Sequence, residues 1–239
     1  NAKDEYKKNH IKNSIFFDID ENSNKNSTLP HMLPEKKDWE KIISNLGIKN
    51  NDHVVVYDDS EVYSACRVWY SFMYFGHNEN LVSVLDGGLR KWKKEKRLLT
   101  SKVNQIKKSN YTANENKSMV VDKNQINLNI EKKEFELVDA RSNQRFLGLQ
   151  PEIRNNLKSG NIQGSKNVPY AELINENFTF KTKEELINLF KKNKVDISKK
   201  MVFTCGSGIT ACVLGLTNSI ISGKKPIIYD GSWSEYGIK

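Results

Sequence analysis

Apolar positions along this chain of 239 residues gather into short runs at two places, and the two places repeat each other. His53-Val54-Val55-Val56-Tyr57, closed by Asp58-Asp59-Ser60, predicts a buried strand that ends in a turn. Residues 62–75, with Ala65, Val68, Trp69, Phe72 and Tyr74 spread around them, predict a largely buried helix stopped by Gly76. Residues 81–85 predict a second buried strand, which runs through Asp86-Gly87-Gly88 into a short helix over 89–94. The order then returns. A strand is predicted over 201–204, a helix over 211–221 and a strand over 226–229, ending in Asp230-Gly231-Ser232-Trp233. Upstream of each copy lies a further echo, His10-Ile11-Lys12-Asn13-Ser14 in one half and Asn161-Ile162-Gln163-Gly164-Ser165 in the other, and two echoes in one order mark a duplicated chain.

Strands separated by helices imply an α/β fold of two tandem domains, each a mainly parallel sheet flanked by helices on both faces. Residues 100–116 hold few apolar side chains and many Lys, Asn and Ser, so they are read as a surface linker. The expected division is a first domain over 1–105, a linker over 106–120 and a second domain over 121–239. Residues 136–141 read as the first strand of the second domain and its polar end. The first copy has no counterpart to that strand, and its amino-terminal part is expected to lie outside this sequence.

Composition narrows the class. No run of about 18 apolar residues occurs, and the first residues lack the pattern of a signal peptide. Three cysteines are an odd and sparse set that suits free thiols in a reducing compartment, cytoplasmic or mitochondrial, better than a disulfide framework. The net charge of +9 comes from lysines scattered over stretches such as 93–108 and 191–200, without a basic face interleaved with stacking aromatics. A solvated lysine-rich surface accounts for it, and neither nucleic acid nor membrane is an expected partner.

Chemistry is concentrated at Cys205, which follows an apolar strand and precedes a helix, where open parallel sheets place their ligands. Gly206-Ser207-Gly208 has little side-chain bulk, so backbone N–H groups can curl inward as an anion nest, and the following helix adds its positive end. Together these favour a thiolate or a persulfide anion. A tyrosine-phosphatase-like loop would need arginine six residues after the cysteine, and Ala211 stands there. Cys212, among Ala211, Val213 and Leu214, and Cys66 in the matching helix are read as core. Asp58 stands where Cys205 stands in the second copy, so the first domain is expected to have lost the reaction.

Cys205-Gly206-Ser207-Gly208-Ile209-Thr210-Ala211-Cys212 resembles the active-site loop of the 3-mercaptopyruvate sulfurtransferases, of the tandem rhodanese superfamily. Thiosulfate sulfurtransferases of that superfamily carry basic side chains after the cysteine, whereas Gly206-Ser207 is neutral. The likeness runs through Phe16-Phe17-Asp18-Ile19-Asp20, His31-Met32-Leu33-Pro34, Arg67-Val68-Trp69, Leu85-Asp86-Gly87-Gly88-Leu89 and Tyr229-Asp230-Gly231-Ser232-Trp233. The resemblance implies attack of the Cys205 thiolate on the sulfur of 3-mercaptopyruvate, release of pyruvate, and transfer of the persulfide sulfur to cyanide, a small thiol or thioredoxin. No metal or organic cofactor is implied. Arg145 and Arg154 match positions that bind substrate in the family, a task that suits the planar guanidinium. The loop residues Gly206, Gly208, Ile209 and Thr210 would complete the substrate site. Ser207, with His31 and Asp20 from the first domain, matches a serine, histidine and aspartate proposed to protonate the departing enolate.

The chain departs from the family where most members have His-Ile-Pro-Gly-Ala and it has His10-Ile11-Lys12-Asn13-Ser14. Rival readings are a thiosulfate sulfurtransferase, a sulfur-relay protein serving tRNA thiolation, and a non-catalytic rhodanese-like module, the last weakened by the intact cysteine loop.

Overall fold

The structure, a computed structural model, describes residues 1–239. The first half runs α1 (Ala2–Lys8), α2 (Lys36–Asn45), β1 (Val54–Val56), α3 (Ala65–Tyr74), β2 (Val82–Val84) and α4 (Gly88–Lys94). The second half runs β3 (Val120–Val121), α5 (Lys123–Lys132), β4 (Glu136–Asp139), α6 (Asn143–Phe146), β5 (Lys166–Asn167), α7 (Lys183–Lys192), β6 (Met201–Thr204), α8 (Ala211–Ser222), β7 (Ile228–Tyr229) and α9 (Ser232–Tyr236). All strand pairs are parallel, in a two-stranded sheet β1-β2 and a five-stranded sheet ordered β3-β7-β6-β4-β5. No helix is long and apolar enough to cross a membrane.

The five-stranded sheet has buried side chains on both faces, which is why its central strand β6 reads as an unbroken apolar run. Val138, Phe203 and Ile228 point to one side, and Leu137, Val202 and Tyr229 point to the other. The first side belongs to a core that is continuous between the halves, joining Trp39, Phe72 and Phe75 to Val213 and Leu214. Helices α3 and α8, the matching helices of the two copies, pack against each other at its centre.

Four expectations are corrected. The first-half helix begins at Ala65 rather than Val62, because Tyr63 takes a left-handed φ of +51° and the Asp58 carboxylate accepts from Ser64 Oγ and Ala65 N, fixing the start of the helix there. Strands β1 and β2 are not buried runs flanked on both faces: Val55 is 54% exposed, because the two-stranded sheet leaves one face open. The second-half sheet begins with β3, not with β4; two residues are too few for a pattern, and pairing with β7 alone makes them a strand. Finally, the polar stretch 100–116 is no free tether. Tyr111 and Ala113 are buried, the Tyr111 ring stacks at 5.9 Å on His77, and Ser109 N and Asn114 N donate to Ser44 O and Phe75 O at 2.9 Å each.

That strap should contribute stability. Tyr111→Ala removes a buried ring and is expected to cost about 3 kcal/mol in equilibrium unfolding, and to open residues 100–116 to limited proteolysis, while a substitution at exposed Val103 does neither.

Candidate active site

Strand β6 delivers Cys205 at its carboxyl end, and α8 starts six residues later, so the intervening loop closes over the sulfur. The segment entering α9 fixes this loop from outside. Cys205 N donates to Ser232 Oγ at 3.2 Å, Trp233 N donates to Cys205 O at 2.9 Å, and Ser234 donates to Gly206 O from N at 2.8 Å and from Oγ at 2.5 Å. With the carbonyls of 205 and 206 taken up outside, the backbone N–H groups of residues 206–211 donate to no protein acceptor. They are the donors from which an anion cradle can be made. Cys205 itself is only 2% exposed.

The matching loop of the first half shows what the second half leaves open. Leu89 N donates to Asp58 O at 2.9 Å, the same bond that Trp233 N makes to Cys205 O, so Asp58 occupies the place of Cys205. Its carboxylate accepts from Ser60 Oγ, Ser64 Oγ and Ala65 N at 2.6–3.1 Å and fills the start of α3 with a built-in anion. The pocket there is closed by Phe178 and Phe180 of the second half, with Arg90 lying 5.5 Å over the Phe178 ring.

The sequence-predicted residues converge on the second loop. His31 takes a left-handed φ of +60°, and from that position Nδ1 lies 2.8 Å from Ser207 Oγ while Nε2 lies 2.9 Å from Asp20 Oδ1. A carboxylate can only accept, so Nε2 carries the proton and Nδ1 is free to accept from the Ser207 hydroxyl. Burial lowers the His31 pKa, Arg154 and Arg67 add to the lowering, and Asp20 opposes it. Neutral His31 is thus the prevailing form at neutral pH.

Arg145, on α6, reaches over the loop: a Cβ built on Gly206 would lie 3.2 Å from its Nη2. Glu152 accepts from Nη2 at 2.5 Å, and Arg145 Nε is buried without a partner. Glu152 is in turn held by Arg141, which is forked on Asp139 at 2.7–3.0 Å and lies 4.5 Å over the Trp233 ring. Arg154 lines an open cleft of about 520 Å³ with Asp20, His31 and Ser234. Ile209 is buried and Thr210 half-buried, and their carbonyls receive Cys212 N and Val213 N at 3.1 Å each, so they start the helix and offer the site only their N–H groups. Cys66 and Cys212 are fully buried, with thiols that burial pushes up, Cys212 to about 12, as expected of core residues.

Sequence reasoning missed Arg67, Glu152, Arg141, Tyr170, Ser232 and Ser234. Tyr170 is half-buried, its phenol pKa raised chiefly by burial, and it stands near enough to feel the charges of Arg145 and Cys205. The repeated Asp-Gly segments at 86 and 230 were the available signal for the 232–234 splint. Nothing local marks Arg67.

A first copy with Asp58 at the place where the second copy has Cys205 defines a class, and the Rhodanese-like domain family matches residues 1–95 and 122–239, so the chain belongs to that family. It is 40% identical over 240 residues to the 3-mercaptopyruvate sulfurtransferase of Mus musculus, spanning 98% of this chain and 79% of that protein. Identity is also 40%, over 238 residues, to the thiosulfate sulfurtransferase of Rattus norvegicus, spanning 98% and 80%. The crystal structure of SseA from Escherichia coli, described as a 3-mercaptopyruvate sulfotransferase with the rhodanese fold, superposes with a TM-score of 0.87 at 34% identity, covering 98% of this chain and 87% of that one. The protein is a sulfurtransferase.

Two glycine substitutions separate geometry from stability. Gly206→Ala pushes on Arg145 and is expected to raise the KM for the sulfur donor with an unchanged melting temperature. Gly208→Ala forces a side chain into a φ of +80°, with Asp230 O only 3.0 Å from the new Cβ, and is expected to lose about 1–3 kcal/mol in unfolding.

Proposed function

We propose that the enzyme takes sulfur from 3-mercaptopyruvate onto Cys205 and passes it to a thiol acceptor. The observation that carries this reading is the meeting of Ser207, His31 and Asp20 beside the cysteine, because a carbon leaving group needs a proton and a thiosulfate leaving group does not. The Cys205 thiolate attacks the donor sulfur and forms the S–S bond, while the C–S electron pair departs as the enolate of pyruvate. Neutral His31 receives the donor thiol's proton through Ser207 and returns it to the enolate carbon, and Asp20 balances the transient imidazolium. The persulfide anion remains among the unclaimed N–H groups of residues 206–211.

Arg145 and Arg154 are assigned to the donor's carboxylate and keto oxygen. Arg145 is anchored by Glu152 along one edge, which leaves the rest of its fork for a substrate. Thiosulfate is the second reading, favoured by the rat relative at equal identity. The neutral Gly206-Ser207 pair weighs against it, since no basic side chain follows the cysteine. A small thiol, cyanide or a thioredoxin is the acceptor class proposed, each bringing a nucleophile to a nearly buried sulfur. The three unpaired, buried cysteines support a reducing compartment, cytoplasmic or mitochondrial.

Intact mass after mixing with 3-mercaptopyruvate should show one added sulfur in the wild type and none in Cys205→Ser; addition to both would move the site to another cysteine. Turnover of 3-mercaptopyruvate should exceed that of thiosulfate, and the reverse order selects the second reading. His31→Asn is expected to slow pyruvate release, and unchanged turnover would remove the relay. Because the His31 pKa is lowered, the wild-type rate should hold through neutral pH and fall only on the acid side of the ordinary histidine value, about 6.5.

A further inference from the structure

Arg67 is the third residue of α3, so it places a cation at the positive end of its own helix, and it does so at 3% exposure. A buried charge in that position is unfavourable unless something outside the helix compensates it. The compensation comes from both halves. Arg67 Nη2 lies 2.7 Å from Asp230 Oδ1 and donates to His31 O at 2.8 Å, and Nη1 donates to Gly208 O at 3.5 Å. Asp230 then uses its other oxygen to accept from Leu33 N at 2.8 Å. His31-Met32-Leu33 is therefore gripped at both ends by one ion pair, His31 through its carbonyl and Leu33 through its amide. The same pair backs the cysteine loop, since a Cβ on Gly208 would meet Asp230 O at 3.0 Å, Asp230 Oδ1 at 3.1 Å and Arg67 Nη1 at 3.2 Å.

We infer that Arg67, paired with Asp230, is a positioning residue that holds His31 in its left-handed conformation and in register with Ser207, so that correct docking of the two halves is required for proton transfer. The inference rests on the Ser207–His31–Asp20 relay of the proposed function. A left-handed φ at a residue other than glycine persists where its surroundings over-determine it, and here the two hydrogen bonds to 31 and 33 supply that constraint. The ring is faced by Asp20 from its own segment, by Arg154 from the second half and by Arg67 from α3, while Lys25 holds the Asp20 carbonyl. Burial is the chief cause of the lowered His31 pKa, and Arg67, with Arg154, adds to that lowering.

The test compares wild type, Arg67→Gln, Arg67→Lys, the double variant Arg67→Gln/Asp230→Asn and His31→Asn. Pyruvate release from 3-mercaptopyruvate is measured across pH, and the ring protons of the four histidines are titrated by NMR, His31→Asn giving the assignment. Arg67→Gln is expected to lower kcat about tenfold to a hundredfold, the scale of losing one or two charge-assisted hydrogen bonds, with donor KM nearly unchanged. Its acid limb and its His31 titration should both move to higher pH, and Arg67→Lys should restore the limb ahead of kcat. Should Arg67→Gln fail to fold, the double variant, which leaves no unpaired buried carboxylate, carries the same expectation. A folded variant with wild-type kcat and an unshifted His31 titration overturns the inference. The relay fails separately, if His31→Asn turns over like wild type, because the NMR titration reads the placement of His31 without reference to activity.

Discussion

A loop that leaves the backbone N–H groups of residues 206–211 without acceptors is the constraint around which the molecule is arranged. Buried donors without partners are costly, and a bare peptide would turn to satisfy them. This one cannot turn. Ser232, Trp233 and Ser234 hold Cys205 and Gly206 from behind, Ile209 and Thr210 are committed to the first turn of α8, and Gly208 sits against Asp230 and Arg67. The donors are thereby left without protein acceptors, as an anion cradle requires.

The two halves of the duplication resolve the same local geometry in opposite ways. Where the first half has Asp58, a fixed carboxylate satisfies the helix start, and Phe178 and Phe180 from the other half seal the pocket. Where the second half has Cys205, the first half contributes polar groups in return: His31, Asp20 and Arg67. Each half covers the other's loop, one with rings and one with charges.

Charge around the site is distributed through buried acids. Asp139, Arg141, Glu152 and Arg145 form a chain in which each member is held by the next, ending at the guanidinium over Gly206. Arg141 is fully buried and lies on the face of Trp233, the middle residue of the splint that holds the cysteine loop. Arg145 and Cys205 are thus braced against the same few side chains, and a shift in one is transmitted to the other by packing.

The sequence by itself determined the class of fold and the duplication, and it singled out Cys205 as the candidate sulfur carrier, because each is written in local pattern. The central strand Met201–Thr204 is buried on both faces, so it reads as an unbroken apolar run, and Cys205 with its glycines follows directly in the chain. Asp20, His31 and Arg145 were legible only by resemblance, since no local pattern distinguishes them from loop residues. The strand Val120–Val121 was illegible, being two residues long and made a strand only by its partner, and so was the strap through Tyr111, whose few apolar residues gain meaning from the core they meet. The first-half strands were misread as fully buried because the same run of valines serves an open two-stranded sheet. Only the tertiary structure decided which atoms meet: Arg67 and Asp230 lie 163 positions apart, and His31 and Ser207 are separated by 176. Contacts at such separations depend on how α3 docks on α8, a relation between surfaces that no periodicity along the chain encodes.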